Sequence, residues 1–286
     1  MSYPITRREF VKLAAVSAVA PRTAAPITAQ EIVDHIKQKL GVEWKPDTVD
    51  TFKAGDPAAV VKGIVTTAMP TMDVLRQAVK TGANLVITCE PTFYSKSDAA
   101  PRAADPVFTA KNEFIKKEGL VIWRFSDHWR RRKPDPFAVG LSDALGWSKF
   151  REARDPARVT VPAVTLDALA SDIRRKLKAR GGIRVIGDPK LRVQKIGLLP
   201  GTTPIQAALE LLPLVDAVIA GEVREWESAE YTRDKIAAGE KKSLILLGRI
   251  VSDDPGMKVC AEWVRTIVPE LNATWIPAGD PYWRPV

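Results

Sequence analysis

Short apolar runs alternate with amphipathic segments along most of this chain. Seven runs have the length of strands, and most of them are almost wholly apolar, which is typical of buried strands. They cover residues 60–66, 84–88, 120–125, 159–164, 193–199, 217–220 and 244–247. Segments with helical periodicity lie between them. This alternation predicts an α/β fold with a core made largely of parallel strands.

Helix start and stop signals support this division. Thr28 and Glu31 have the spacing of a capping box, which predicts a helix from there to about residue 40. Thr71 predicts the start of a second helix, and Gly82 predicts its end. The polar, proline-containing segment 45–57 is predicted to be a loop.

Six further helices are predicted between and after the strands. The last begins with Asp254 as its N-cap and Pro255 as its first residue, a pair that is favoured at helix starts. The six segments cover residues 107–118, 137–145, 166–178, 204–211, 223–238 and 255–268.

The domain organisation follows from a basic, proline-containing stretch at residues 149–162. It predicts two interlinked α/β lobes with mixed central sheets flanked by helices. The first lobe covers residues 30–150 and the second covers residues 151–286, with its C-terminal part returning to a site between the lobes. The length of 286 residues and the 45% hydrophobic content are sufficient for this architecture.

The N-terminus has the features of an export signal. Residues 6–12 read TRREFVK, and the apolar run 13–20 that follows is too short to span a bilayer. This pattern is typical of a twin-arginine signal, so residues 1–29 are assigned to a signal and a short linker, and the protein is predicted to be periplasmic or otherwise extracytoplasmic. A basic amphipathic helix of a cytosolic protein is the alternative. No later run approaches the length of a transmembrane helix.

Net charge and the scarcity of metal-binding side chains narrow the possible functions. Residues 1–25 contribute +3 of the net charge of +9, from Arg7, Arg8, Lys12 and Arg22 minus the charge of Glu9. The rest of the chain therefore has a net charge of +6. That balance favours anionic ligands only weakly and does not indicate nucleic-acid binding. With two cysteines and two histidines, the chain has no disulfide framework and cannot build an all-histidine metal site.

Polar side chains with metal-binding or charge-balancing potential follow four of the predicted strands. These side chains are Cys89, Glu90, Arg124, Asp127, His128, Glu222, Glu225, Arg249 and Asp253. Carboxyl ends of parallel strands meet at one sheet edge, where ligand sites gather. Carboxylates brought together there repel one another unless they are protonated or bridged by a cation. The pattern therefore suggests a metal site, although a small apolar Cys89 and a solvated Glu90 in a turn remain possible.

Three segments of the chain carry a family resemblance. Cys89-Glu90-Pro91 follows NLVIT, Asp135 precedes a Ser-Asp-Ala-Leu helix at residues 142–145, and the segment 248–253 reads GRIVSD. The chain resembles the NIF-three-like dinuclear metal-centre family, also labelled type-two GTP cyclohydrolase-one-like. That family has His-His-Pro, Asn-Asp-Ala-Leu and Gly-His-x-x-Ser-Glu at these places, and the likeness extends over essentially the whole chain after the signal.

The resemblance implies a metal site with altered ligands. The implied ligands are Cys89, Glu90, His128, Asp135 and Asp253, which would hold one or two divalent ions, namely Zn, Mn, Fe or Mg. Arg249 stands where the family has a histidine, and a guanidinium cannot coordinate a metal. Arg249 is therefore expected to pair with Asp253 or Glu90 and to replace one cation.

The resemblance also implies a function and partners. The implied reaction is metal-assisted hydrolysis, with Glu90 or Glu225 as the base and with Arg124 and the basic run 130–133 holding a small anionic substrate. A homo-oligomer is implied as well, and the assembly typical of that family is a hexamer. Two alternatives stay open: a non-catalytic scaffold in which Arg249 replaces a metal, and a polyanion binder, which the predicted export disfavours. A Cys89–Cys260 disulfide ranks below a metal ligand or a free thiol.

Overall fold

The strands form two five-stranded mixed sheets in this computed structural model, which describes residues 26–101 and 105–285. The first sheet has the order β1-β4-β3-β2-β10, and its members are β1 Phe52–Ala54, β2 Ile64–Thr67, β3 Leu85–Thr88, β4 Val121–Arg124 and β10 Ala273–Trp275. The second has the order β5-β7-β8-β9-β6, and its members are β5 Arg158–Thr165, β6 Arg184–Ile186, β7 Arg192–Thr202, β8 Ala217–Glu222 and β9 Ser243–Leu246. The predicted α/β class is confirmed.

Parallel pairing dominates both sheets, and antiparallel strands lie at edges. In the first sheet β10, β2, β3 and β4 are parallel, and β1 is antiparallel to β4. In the second sheet β7, β8 and β9 are parallel, with β5 and β6 antiparallel at the two edges. The residues of β2, β3, β4 and β9 are all buried. Their nearly continuous apolar sequences follow from coverage of both sheet faces.

Nine α-helices connect and cover the strands in the described part of the chain. They are α1 Ala29–Lys39, α2 Met72–Lys80, α3 Pro106–Lys117, α4 Asp127–Arg131, α5 Pro136–Ala144, α6 Leu166–Lys176, α7 Ile205–Leu211, α8 Glu230–Ala237 and α9 Arg249–Ile267. A short π-helical turn, Glu225–Ala229, precedes α8.

The predicted caps of the first two helices are present. The Thr28 side chain accepts a hydrogen bond from the Glu31 backbone N–H, and the Glu31 carboxylate accepts one from the Thr28 N–H. The Thr71 hydroxyl accepts a hydrogen bond from the Val74 N–H at the start of α2. Gly82 has a φ of +76°, a left-handed conformation that glycine adopts without steric cost, and it ends α2 as predicted.

The start of α9 differs from the sequence prediction. The helix begins at Arg249, six residues before Pro255, so Asp254 is not its N-cap. The Asp254 carboxylate is instead buried and accepts backbone N–H bonds from Ala68, Ala278 and Gly279. Asp254 therefore fixes the C-terminal segment against the first sheet. In the sequence alone, an aspartate before a proline looks the same as the start of a helix.

Helix α9 packs on both sheets and against α5. It contacts β2 and β10 of the first sheet and β7 and β8 of the second. Its crossing with α5 depends on two glycines: a Cβ on Gly140 would lie 2.3 Å from the Pro255 carbonyl oxygen, and one on Gly256 would lie 2.3 Å from the Phe137 ring. This close approach places the first turns of α9 between the sheets.

The lobe boundary predicted near residue 150 stays a prediction, but the topology shows how the two halves interlink. All five strands of the second sheet follow residue 150, whereas β10 pairs with β2 in the first sheet. The strands β1, β6 and β10 were absent from the sequence prediction, and β1 falls in the segment 45–57 predicted as a loop. Each has three residues, too few for a periodic pattern.

Within the described residues, no helix combines the length and apolar character needed to cross a membrane.

Lys111 on α3 makes stability depend on pH. Its ammonium donates to the Thr92 carbonyl at 2.7 Å, and burial lowers its pKa from 10.5 to about 8. Between these values the unfolded chain binds more protons than the folded one, so unfolding free energy rises with pH. We expect Lys111→Met to remove about 2 kcal/mol of this rise between pH 7.5 and pH 10 in urea unfolding. Lys116→Met, on the exposed side of α3, is the control. Parallel pH curves for wild type and Lys111→Met would contradict this expectation.

A buried thiol and carboxylate cluster between two clefts

Cys89, Glu90 and Asp253 come together where the first sheet meets α9. Cys89 and Glu90 directly follow β3, and Asp253 is the fifth residue of α9. One potential ligand atom from each residue lies within 4.8 Å of the other two, and all three residues are buried. The structure thus brings together three of the five predicted metal ligands, and we call them the thiol–carboxylate cluster.

Arg249 forms the ion pair that the sequence predicted. Its Nε and Nη2 lie 2.9 Å and 2.8 Å from Oε1 of Glu90. Its Nη1 donates to the Thr202 hydroxyl at 2.7 Å and to Glu222 at 3.2 Å. Arg249 is the first residue of α9, so the helix start holds the guanidinium against the strand-end carboxylate. The predicted pairing with Glu90 is confirmed.

Arg130 forms a second ion pair that sequence reasoning missed. Its Nη2 donates to Oδ2 of Asp253, and its guanidinium packs on the Phe137 ring with a distance of 3.9 Å to the ring centroid. Gly201 has a φ of +82°, and a Cβ there would lie 2.8 Å from Nη1 of Arg130. Arg130 belongs to the basic run 130–133, but nothing in the sequence pairs it with a residue 123 positions away.

Burial controls the protonation of the cluster. Burial raises the pKa of Asp253 to about 7, and the Arg130 guanidinium opposes that rise. Burial also raises the pKa of Glu90, against the effect of Arg249. The pKa of the Cys89 thiol is well above its ordinary value because of burial and then the charge of Asp253. Cys89 accordingly donates its S–H to the Ala68 carbonyl at 3.3 Å.

One oxygen of Asp253 has no partner. Oδ2 is bound by Arg130, but Oδ1 is buried and accepts no hydrogen bond within residues 26–101 and 105–285. A buried carboxylate oxygen without a partner costs free energy, which a cation or a proton would recover.

His128 lies outside the cluster, although the resemblance implied it as a ligand. Its Nδ1 is 2.8 Å from Oδ2 of Asp50, and its Nε2 accepts the Lys45 backbone N–H at 2.9 Å. Since Nε2 accepts, Nδ1 carries the proton and donates to Asp50. The ring is buried and stacks on Trp44 with a centroid separation of 3.8 Å. Both nitrogens are occupied, so the imidazole acts as a structural bridge and has no lone pair left for a metal.

Asp135 and Glu225 are also outside the group of three. Asp135 caps α5 by accepting the Phe137 N–H at 2.9 Å, and burial raises its pKa against the opposing effect of its own backbone hydrogen bond and of Arg130. Glu225 is 72% exposed and pairs with Arg184 at 2.7 Å. Asp135 therefore borders the cluster through Arg130, whereas Glu225 faces solvent in a surface ion pair.

Arg124 has a structural position, not the predicted ligand-facing one. It is buried and donates to the Cys89 carbonyl at 3.2 Å and to the Lys96 carbonyl at 2.7 Å. It also pairs with Asp98 at 3.3 Å. These bonds fix the loop after β3 and thereby the position of Cys89 and Glu90, and they leave little of the guanidinium for an external anion.

Two clefts open on the two arginines. A cleft of about 1100 Å³ is lined by Arg130, Asp135 and residues 198–200 and 202–204 among others, and we call it the Arg130 cleft. A second cleft, of about 630 Å³, is lined by Arg249 and Glu222 among others. The arginine side chains are 29% and 34% exposed, whereas those of Asp253 and Glu90 are at most 5% exposed. A molecule in either cleft therefore meets Arg130 or Arg249 before it reaches Asp253 or Glu90.

The fold matches solved structures, while sequence comparison finds no relatives. No protein-family model and no curated protein sequence matches the chain. A Bacillus cereus protein related to NIF3 aligns over 92% of this chain and all of its own, with a TM-score of 0.70 and 12% identity. The Staphylococcus aureus hypothetical protein SA1388 aligns over 91% of this chain and all of its own, with a TM-score of 0.69 and 13% identity.

A third solved structure, protein ybgI of unknown function, aligns over 89% of this chain and all of its own. Its TM-score is 0.66 and its identity is 20%. These likenesses confirm the fold that the family resemblance predicted, and the fold is that of NIF3-related proteins. At such identities they carry no residue roles to this chain.

Proposed function

We propose that this chain binds one divalent metal ion, with a preference for zinc, through Cys89, Glu90 and Asp253. The observation that carries the proposal is the buried, unpartnered Oδ1 of Asp253 beside a thiol and a second carboxylate. A thiolate favours zinc over magnesium or manganese, and three protein ligands leave a fourth position open, as in catalytic zinc sites.

The charges around the cluster support one ion better than two. Two guanidinium groups meet four carboxylates in and beside the cluster. The cations are Arg130 and Arg249, and the carboxylates are those of Glu90, Asp135, Glu222 and Asp253. A Cys89 thiolate adds a fifth negative charge and Lys133, which acts on Asp135, adds a third positive one, so the surplus with all groups charged is two negative charges, which a single divalent ion balances. Each arginine thus supplies part of the positive charge that a second ion would bring.

The arginines also orient the proposed ligands. Arg249 holds Oε1 of Glu90, and Arg130 holds Oδ2 of Asp253, so one oxygen of each carboxylate has no guanidinium partner. Groups that hold the non-coordinating oxygen fix the direction of a ligand and tune its affinity. Arg124 acts one step further out, because it binds the backbone carbonyl of Cys89.

A hydrolase-like reaction is the activity we propose for the loaded site. A bound divalent ion would supply Lewis-acid activation of water or of a substrate oxygen. Of the two predicted bases, Glu90 is the one in position, because it lies in the thiol–carboxylate cluster beside the proposed ion. We give Glu225 no role because its carboxylate lies in an exposed pair with Arg184. The substrate would be a small anion, since the arginines border both clefts.

Metal loading tests the proposal. Chelator-treated protein is incubated with Zn²⁺, Mn²⁺ or Mg²⁺ in turn, desalted and analysed for metal and protein content. We expect about one equivalent of zinc and much less of the other two, because a thiolate ligand favours zinc over manganese and magnesium. Less than about 0.2 equivalents of every metal would contradict the proposal, since such a site is normally filled at micromolar zinc.

A second candidate is a metal-free scaffold, and the two existing ion pairs favour it. Arg249 on Glu90 and Arg130 on Asp253 already neutralise both carboxylates of the cluster. This candidate predicts no metal in the wild type and a gain of metal in the double variant Arg249→His, Cys89→His, which restores imidazole ligands. If the double variant takes up no more metal than the wild type, the scaffold explanation is wrong.

Export and assembly complete the proposal. We propose that the chain is exported through the twin-arginine signal, which lies outside the described residues, and that it forms a homo-oligomer. We expect the double variant Arg7→Lys, Arg8→Lys to retain the protein inside the cell, which fractionation with an antibody would detect. Equal periplasmic amounts of variant and wild type would contradict export by this route.

Light scattering of the purified protein measures the assembly, and a monomer would contradict the oligomer.

A further inference from the structure

Arg130 has hydrogen-bonding capacity that the protein does not use. A guanidinium carries five N–H donors, and the described residues accept from the Arg130 side chain only at Nη2, which binds Asp253. Arg249 is the contrast, since its Nε, Nη1 and Nη2 all contact oxygen atoms of neighbouring residues. Nε, Nη1 and the second N–H of Nη2 therefore have no acceptor among the described residues, and the side chain is 29% exposed. Because Nη2 forms a fork with either of the other two nitrogens, one two-bond face is left for a ligand.

The free part of the guanidinium is held in place before any ligand arrives. Phe137 supports the guanidinium by a cation–π contact at 3.9 Å, and Asp253 fixes one of its nitrogens. Gly201 leaves room on another side, because any Cβ there would lie 2.8 Å from Nη1. A planar fork that is already oriented binds a carboxylate or phosphate with two parallel hydrogen bonds and loses little entropy in doing so.

The surroundings of Arg130 favour an anion with an apolar body. Arg130 lines the cleft of about 1100 Å³, which is large enough for a small organic ligand. Lys133 and Arg154 also line it, and neither has an ion-pair partner in the described part of the chain. The lining also includes the apolar side chains of Leu198 and Leu199, and two of its carboxylates, Glu152 and Asp155, are held in ion pairs with Arg158. The cleft therefore offers cationic groups that have no partner among the described residues, together with aliphatic surface.

We infer that the Arg130 cleft binds a small organic oxyanion, a phosphate monoester or a carboxylate with an apolar body, through the free N–H groups of Arg130. The inference deepens the proposed function by naming the class of its substrate. The anion site itself depends on Arg130 and the cleft, and it needs no metal. Binding can therefore be measured on metal-free protein, which separates it from the metal proposal.

Calorimetric titration of the full chain, first treated with a chelator and then desalted, tests the inference. The probes are phenyl phosphate, benzoate and inorganic phosphate. We expect phenyl phosphate or benzoate to bind at least about tenfold more tightly than inorganic phosphate, because the ring adds apolar contact in the cleft. The tighter of the two aromatic probes identifies the head group as phosphate or carboxylate.

Variants then assign the binding to Arg130. We expect Arg130→Gln to weaken the aromatic anion at least about tenfold, and Arg130→Lys, which keeps the charge but loses the fork, to weaken it nearly as much. Arg154→Gln removes a charge from the same cleft without touching Arg130 and is expected to change affinity less than about threefold. If Arg130→Gln fails to fold, Arg130→Lys carries the comparison.

Three results would overturn the inference. The first is the absence of saturable binding of either aromatic anion below about 10 mM. The second is equal affinity for the aromatic anion in wild type and in the Arg130 variants. The third is a loss of affinity in Arg154→Gln as large as that in Arg130→Gln, which would indicate general electrostatic attraction. Failure of zinc loading with intact anion binding would reject the metal and leave the anion site standing.

Discussion

Asp50→Ala is expected to lower the free energy of unfolding by about 3–5 kcal/mol, because it leaves four buried N–H donors without an acceptor at a cost of about 1 kcal/mol each. The Asp50 carboxylate is buried and accepts the backbone N–H groups of Ser126, Asp127 and His128 as well as Nδ1–H of His128. Removing it leaves these donors buried without an acceptor. It also releases the loop between β4 and α4, which leads into Arg130.

Urea unfolding monitored by tryptophan fluorescence measures this effect. The control is Asp47→Ala, three residues away on an exposed part of the same segment, which we expect to change stability by less than about 0.5 kcal/mol. A loss below about 1 kcal/mol for Asp50→Ala would mean that water replaces the carboxylate at little cost, and the structural role given to His128 would then be wrong.

The second large effect concerns metal affinity. Cys89→Ser and Asp253→Asn are each expected to weaken zinc binding at least about 100-fold, because loss of a direct ligand exceeds the loss found for groups that only orient ligands. Asp253→Asn removes the negative charge and keeps the size of the side chain. Cys89→Ser removes the soft donor, so zinc should also lose its advantage over manganese.

Competition with a zinc-sensitive chelating dye measures these affinities. Cys260→Ala is the matched control, since Cys260 is likewise a buried free thiol but lies outside the thiol–carboxylate cluster. We expect its zinc affinity to stay within about threefold of wild type. A loss of zinc binding in Cys260→Ala equal to that in Cys89→Ser would show that zinc is bound by exposed or unfolded thiols and not by the cluster.

The sequence predicted those elements whose formation depends on residues close together in the chain. The run Leu85–Thr88 forms a strand because it is apolar and short, and Thr28 caps a helix because its partner Glu31 is three residues away. Cys89, Glu90 and Asp253 drew attention because each follows a strand, but β3 and β9 belong to different sheets, so the predicted single sheet edge was wrong. The first turns of α9, which contacts both sheets, bring Asp253 to the other two residues.

Long-range pairing set the features that the sequence did not reveal. His128 follows a strand as a metal ligand would, but its partners Asp50 and Lys45 are about 80 residues away. Asp254 and Pro255 look like a helix start, yet Asp254 binds three backbone N–H groups from other segments and the helix begins earlier. In such cases the same residue type suits a local and a distant partner equally, and only the fold selects between them.

The central claim is that the thiol–carboxylate cluster holds a metal ion, and anomalous diffraction at the zinc edge tests it most directly. The protein should be crystallised after production through its own export route or after zinc loading. We predict a single anomalous peak about 2.3 Å from Sγ of Cys89 and about 2.0–2.2 Å from one oxygen each of Glu90 and Asp253. Arg130 and Arg249 should still hold the other carboxylate oxygens. A map with no peak at the cluster, with Sγ of Cys89 about 3.3 Å from the Ala68 carbonyl oxygen and both arginine pairs intact, would contradict the claim.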